Sequence, residues 1–297
     1  MQYKRICTLV VLMVIAFSGC SNIHANPLAV ADTYITDVAN DGILSAELTS
    51  IWNIHDEINE NAPAQCSVVF EGIEYHGEYQ RSVDRDNLPY ATDYYLTSDG
   101  FDIMLNGDTG EFRGIAFMGR DYFETVMLMD DIPDSEDYAL ETAKRIAAKY
   151  INIQDYETEF DSDEYTKQID EQEYSMTFYD IHFVKRIGDL PTSDFVYISI
   201  SSKGDIVTCQ LGDIGKFDDL RNNDIPFADI EDALRTKVQN MYGKHEKYTF
   251  ISYQTKNQKL RITPDGDYCV VTEIVIDLRD QAGIEFSTGL RMAVTLK

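Results

Sequence analysis

Basic residues are scarce in this chain of 297 residues, in which 25 Lys and Arg stand against 52 Asp and Glu, giving a formal charge of −27. Proteins that bind nucleic acids contact the phosphate backbone through clustered Lys and Arg. The charge therefore excludes a nucleic-acid partner. It favours basic proteins or peptides as partners, because a strong field of one sign attracts molecules of the opposite sign.

Cysteine is also sparse. Beyond residue 20 the chain has Cys66, Cys209 and Cys269, an odd number with no C-x-x-C spacing. Both a disulfide framework and a zinc ribbon are disfavoured by this pattern. Each cysteine lies in an apolar, strand-like run, so we expect buried thiols that pack as small hydrophobic side chains. One disulfide with one thiol left over is the alternative.

The signature motifs of common enzyme classes are missing. The sequence contains no G-x-S-x-G, H-E-x-x-H, S-x-x-K or P-loop motif. His76 alternates with Glu74 and Glu78, which places the three on one strand face, either as a catalytic or metal cluster or as a solvated surface. We therefore expect no catalytic residue, no metal and no cofactor. An envelope hydrolase that uses carboxylates or His76 remains the alternative.

The apolar run from Ile6 to Phe17 is too short to span a bilayer, which needs about 20 helical residues. It follows Lys4 and Arg5 and ends in small residues, as the apolar core of a signal peptide does. Phe17-Ser18-Gly19-Cys20 resembles the bacterial lipobox, although that family prefers Leu where Phe17 stands. The resemblance implies cleavage before Cys20, lipid attachment to its thiol, and a location outside the cytoplasm on the bacterial cell membrane. An ordinary signal peptide with a chance cysteine is the alternative.

Apolar residues recur at helical spacing in three segments, which predicts helices at about residues 43–58, 135–151 and 228–242. Strand-like runs with Asp-Gly and Asn-Gly turns follow each helix, a pattern typical of antiparallel hairpins. We divide the chain into a signal peptide (1–20), a flexible tether (21–33) and three helix-plus-sheet units (34–132, 133–218 and 219–297).

The second and third units match each other. Their helices align 91 residues apart, so that Ala139 matches Ile230 and Ala143 matches Leu234, and the strands that follow align 74 residues apart. We therefore predict an α+β fold built from successive units, each with one amphipathic helix and an antiparallel meander sheet.

The two offsets differ because the second unit has extra residues at 154–173, a segment with nine acidic residues and one Lys. We expect a mobile acidic excursion. Glu157, Glu159, Asp161 and Asp163 alternate, so in an extended chain they project to one side and favour weak binding of a cation or of a basic partner. A solvated charge run that serves only solubility is the alternative.

Residues 135–297 resemble the PepSY-like domains of bacterial envelope proteins in the order and spacing of their elements. The resemblance implies a binding role, such as restraint of a peptidase or another extracytoplasmic protein. The sequence thus predicts an exported, lipid-anchored protein that binds a protein or peptide without catalysis. Its expected partners are the membrane, through the N-terminal lipid, and a basic envelope protein or peptide. A structural envelope component is a further alternative.

Overall fold

The computed structural model describes residues 28–38, 55–57, 59–84, 91–117, 126–169, 171–221, 223–263 and 265–297. The predicted signal peptide, Cys20 and most of the tether lie outside these residues. So does most of the first predicted helix, and its last residues, His55–Glu57, form a strand. No helix within the described ranges is both long and apolar enough to cross a membrane.

Strands dominate the described chain. They are β1 (Val30–Val38), β2 (His55–Glu57), β3 (Gln65–Phe70), β4 (Ile73–Asp84), β5 (Thr92–Thr97), β6 (Phe101–Asn106), β7 (Phe112–Phe117), β8 (Glu157–Ile169), β9 (Gln172–Ile187), β10 (Leu190–Ser201), β11 (Ile206–Leu211), β12 (Tyr248–Ile262), β13 (Tyr268–Asp280) and β14 (Glu285–Leu296). Two complete helices lie within the described residues, α1 (Ser135–Ala147) and α2 (Phe227–Tyr242), with short 3-10 helices at Ile153–Asp155 and Asp218–Leu220.

The predicted α+β fold of successive units is wrong. The protein is mostly β, and all fourteen strands belong to one large mixed sheet. The pairs that join the regions connect residues far apart in the sequence: β1 pairs with β14, β7 with β11, and β10 with β12. Helical and strand periodicity report only local structure, so they cannot show that the edges of neighbouring regions pair with one another.

The helical stripes were predicted correctly. Ala139, Ala143 and Ala147 of α1 are buried in a core with residues of β9, β10 and β11. Ile230 and Leu234 of α2 are buried in a second core with residues of β12, β13 and β14. The sheet has two arms that meet at β10: one contains β2–β9 and β11, and the other contains β1 and β12–β14. Helix α1 packs on the first arm and α2 on the second, because the apolar face of each helix must be removed from water.

Strand β10 connects the two arms. Thr192 pairs in parallel with Leu260 of β12, whereas residues on both sides of Thr192 pair with β9, and those from Val196 to Ile200 pair with β11. The register between β10 and β9 is irregular from Pro191 to Phe195, the part of β10 that contains Thr192. The adjoining chain approaches so closely that a Cβ on Gly212 would lie 2.1 Å from the Ser193 carbonyl oxygen. A glycine is therefore required at the point where the arms diverge.

Candidate functional site

The acidic segment forms β8, an edge strand. It pairs with β9 from Glu157 opposite Val184 to Ile169 opposite Gln172. No strand in the described part of the chain pairs with its other edge. Nearly all of its side chains are exposed, on both faces. The segment is thus part of the sheet and not the loop excursion expected from its charge, and deleting it would remove a strand.

The four predicted carboxylates lie on one face of β8, but they are not equivalent. Arg186 of β9 forms ion pairs with Glu157 and with Glu159, at 3.4 Å from Nη2 to Oε1 of Glu159. Asp161 and Asp163 lie further along the strand and are exposed. Among the residues described, no three His, Cys, Asp or Glu side chains gather in a way that could hold a metal ion.

His76 lies on an exposed face of β4. Its side chain is 71% exposed, and Nε2 lies 3.9 Å from Oε1 of Glu74. Glu78 is also exposed. None of the three lines the cleft described below. The arrangement has the geometry of a solvated strand face.

The three cysteines of the described chain are free thiols on three different strands. Cys209 and Cys269 are fully buried, and burial raises the pKa of each thiol to about 12. A thiol with so high a pKa carries almost no thiolate at neutral pH and is a poor nucleophile. These two cysteines act as small core side chains, as the sequence predicts.

Sequence reasoning missed a cleft of about 390 Å³ at the point where the two arms diverge. Four strands contribute charged side chains or a histidine to its lining. These are Arg113 on β7, Glu159 on β8, His182 on β9, and Lys259 and Arg261 on β12. Apolar side chains line other parts of it, including Tyr94, Met104, Val184, Phe195 and Leu211.

Arg113 is held in place at the cleft by two hydrogen bonds. Its Nη1 donates to the Gly212 carbonyl at 3.2 Å, and its Nη2 donates to Oε2 of Glu111 at 3.3 Å. Only 15% of the side chain is exposed. The Arg113 guanidinium is therefore held by the carbonyl of Gly212, the position at which a Cβ would collide with the neighbouring chain.

Asp213 is a buried carboxyl beside this arginine. It is 2% exposed and accepts a hydrogen bond from Ser193 Oγ at 2.5 Å. Burial raises the pKa of Asp213 to about 6, although Ser193, Arg113 and Arg261 act to lower it. Desolvation thus outweighs the attraction of two nearby guanidinium groups.

The cationic groups of the cleft affect one another. Desolvation lowers the pKa of Lys259, and the neighbouring positive charges of Arg261 and Arg291 lower it further. Desolvation also lowers the pKa of His182, against the opposing effects of Glu159 and Asp180. Arg261 and Arg291 thus lie close enough to Lys259 to repel its charge, and Glu159 and Glu273 offset part of that repulsion.

Little in the sequence could have revealed this cleft. Lys259 and Arg261 alternate on one strand, which places them on one face. Arg113 and His182 come from other strands, and only the pairing of distant strands brings them near β12. The spacing of residues along the sequence therefore does not show that these side chains lie close together.

The chain matches no protein-family model, and no curated protein or solved structure matches it either.

Proposed function

We propose that this protein is an exported, lipid-anchored binding protein that adds a basic, extended peptide segment of an envelope partner to the outer edge of β8. The observation that carries the proposal is the 13-residue strand itself, which is paired on one edge, exposed on both faces and rich in carboxylates. No catalytic step is needed for this role.

The outer edge of β8 offers backbone groups to a ligand. A strand edge presents alternating N–H and C=O groups, and an extended peptide can pair with them as an added strand. Such pairing supplies affinity with little dependence on sequence. Specificity then comes from the side chains that flank the edge.

Both faces of β8 carry an acidic and an aromatic side chain. Asp163 and Tyr165 lie on one face, and Phe160 and Glu164 lie on the other. Phe160 and Tyr165 are 40% and 48% exposed. Carboxylates attract Lys and Arg, and aromatic rings bind the same cations through their faces. A peptide with alternating basic residues matches this pattern.

The charge available to a partner is concentrated in the middle of the strand. Arg186 already pairs with Glu157 and Glu159. Asp161, Asp163 and Glu164 are all exposed. We therefore assign the electrostatic part of recognition to these three residues. The alternative is that the carboxylates only protect an exposed edge from unwanted strand pairing, which is a common use of charge on edge strands.

A synthetic (Lys-Thr)4 peptide tests the proposal. We expect it to bind the purified protein, and we expect the on-rate to fall as salt is raised, because steering by charge is screened. Changing Asp161→Asn, Asp163→Asn and Glu164→Gln together should weaken binding by about 10-fold. Stopped-flow fluorescence with a labelled peptide measures both quantities.

Two controls separate strand addition from plain charge attraction. The same peptide with alternate backbone nitrogens methylated keeps its charge but cannot pair with a strand edge. A protein with Asp224→Asn, Asp229→Asn and Glu246→Gln loses the same charge from exposed positions elsewhere. Equal binding of the methylated peptide would overturn strand addition. Equal weakening by the control protein would leave β8 without a specific role.

Anchoring depends on Cys20. We expect Cys20→Ala to abolish labelling with a radioactive fatty acid and to release the protein from the membrane fraction, because the thiol of the lipobox would be lost. Cys66→Ala serves as the control and should keep both properties. Membrane retention of the Cys20→Ala protein, together with an unlabelled wild type, would contradict the lipid anchor.

A further inference from the structure

The cleft between the two arms differs in charge from the rest of the molecule. The whole chain has about twice as many acidic as basic residues, whereas the cleft has three cationic side chains, Arg113, Lys259 and Arg261, and one carboxylate, Glu159. Three of the 25 basic residues of the chain thus line one cleft. The fold brings them together from β7 and β12, which lie in different arms.

Because the charge of this partly apolar cleft is opposite to that of the whole chain, we infer that the cleft binds a small organic anion with an apolar body. The site is distinct from the outer edge of β8 proposed above for a peptide.

One of the cationic side chains, Arg113, is held in position before any ligand arrives. Arg113 is anchored by the Gly212 carbonyl, and the buried Asp213 lies near both Arg113 and Arg261. Lys259 is exposed at the cleft. A preorganised guanidinium is well suited to carboxylates and related oxyanions, since its planar fork matches their geometry. Preorganisation also reduces the entropy lost on binding.

The apolar side chains that line the cleft indicate the chemistry of the uncharged part of the ligand. Tyr94 and Met104 line one part of the cleft, and Phe195 and Leu211 line another. A cavity of about 390 Å³ lies within the range of small-molecule sites, which run from about 300 to 1,000 Å³. Apolar walls with a few cationic groups fit a molecule with a hydrophobic body and one anionic head. A free inorganic anion would leave those walls in contact with water.

Two fluorescent dyes of the same shape provide the test. 8-Anilinonaphthalene-1-sulfonate carries one negative charge, and N-phenyl-1-naphthylamine has the same ring system without it. We expect the anionic dye to bind at one site, and Lys259→Met with Arg261→Met to weaken its binding by at least about 10-fold. Binding of the neutral dye should change by less than about 2-fold, since the apolar walls are untouched.

The matched control is Lys244→Met with Lys247→Met, which removes two exposed charges before the opposite end of β12. It should leave the affinity for the anionic dye unchanged. Lys259→Glu alone is a second variant at an exposed position and should also weaken that dye. The proposed site would be overturned if the cleft variants left the affinity for the anionic dye unchanged. It would also be overturned if the control variant lowered that affinity as much as the cleft variants do.

Competition distinguishes an organic anion from a simple one. Decanoate should displace the anionic dye at concentrations where decanol and inorganic phosphate do not, because only decanoate has both the charge and the apolar chain. Displacement by phosphate as effective as that by decanoate would overturn the requirement for an apolar body. Displacement by decanol as effective as that by decanoate would overturn the role of the charge.

Discussion

Replacing Lys185 by Met is expected to lower the free energy of unfolding by about 3 to 5 kcal/mol, the cost of removing one partner from a buried ion pair. The Lys185 side chain is 6% exposed, and its Nζ lies 3.6 Å from Oδ2 of Asp194, which is fully buried. Nζ also pairs with Asp218 and lies 5.6 Å from the centre of the Tyr156 ring. Met has a similar length but leaves the Asp194 carboxylate without its cation.

The environment of Asp194 explains the size of this effect. Burial raises the pKa of Asp194, even though Tyr156 Oη donates to it at 2.6 Å and the Gly215 N–H donates at 2.9 Å. The folded protein therefore tolerates the charged carboxylate only with help from its neighbours. Without Lys185, the carboxylate must either remain charged in an apolar setting or bind a proton at the expense of stability.

Urea unfolding of a small set of variants tests the prediction. The double variant Lys185→Met, Asp194→Asn should recover much of the lost stability, because neither charge is then left alone. Lys144→Met removes an exposed pair with Glu141 and should cost less than about 1 kcal/mol. A loss for Lys185→Met no larger than that of Lys144→Met would show that the buried pair contributes little.

Stability is expected to fall with rising pH because of Asp213. Its pKa of about 6 in the folded protein exceeds the ordinary value of 3.8. Between these values the folded protein holds the proton and the unfolded chain has lost it, so each rise in pH favours unfolding. A difference of about two pKa units corresponds to about 3 kcal/mol, lost between about pH 4 and about pH 6.

Asp213→Asn isolates this contribution. The amide is neutral at every pH and can still accept the hydrogen bond of Ser193 through its oxygen. We expect the variant to match the wild type near pH 4 and to exceed its unfolding free energy by about 3 kcal/mol near pH 7. Asp219→Asn, at an exposed position nearby, controls for the loss of one formal charge. A difference between wild type and Asp213→Asn that is constant with pH would contradict a raised pKa for Asp213.

The candidate sites differ in how far the sequence could predict them. The alternating carboxylates of β8 were correctly predicted to share one face, because alternation in an extended chain is a local property. The sequence did not reveal that Arg186 pairs with Glu157 and Glu159. Nor did it reveal the cleft, whose residues meet only through pairing between distant strands.

The sequence by itself determined the properties that depend on composition or on near neighbours. These include the large negative charge, the absence of enzyme motifs, and the buried stripes of α1 and α2, where apolar residues recur at helical spacing. Many hairpin turns belong to the same group, since glycine supplies the positive φ that they need, as at Gly100 and Gly266.

Only the tertiary structure decided how the strands are ordered. Strand pairing uses backbone N–H and C=O groups, which are the same for nearly every residue, so the side chains carry little information about which strand lies next to which. That is why β10 could join two arms that the sequence divided into separate units, and why an acidic insertion could become the edge strand β8. The cleft follows from the same pairing, because Arg113 and Lys259 approach each other only after β7 has joined β11 and β12 has joined β10.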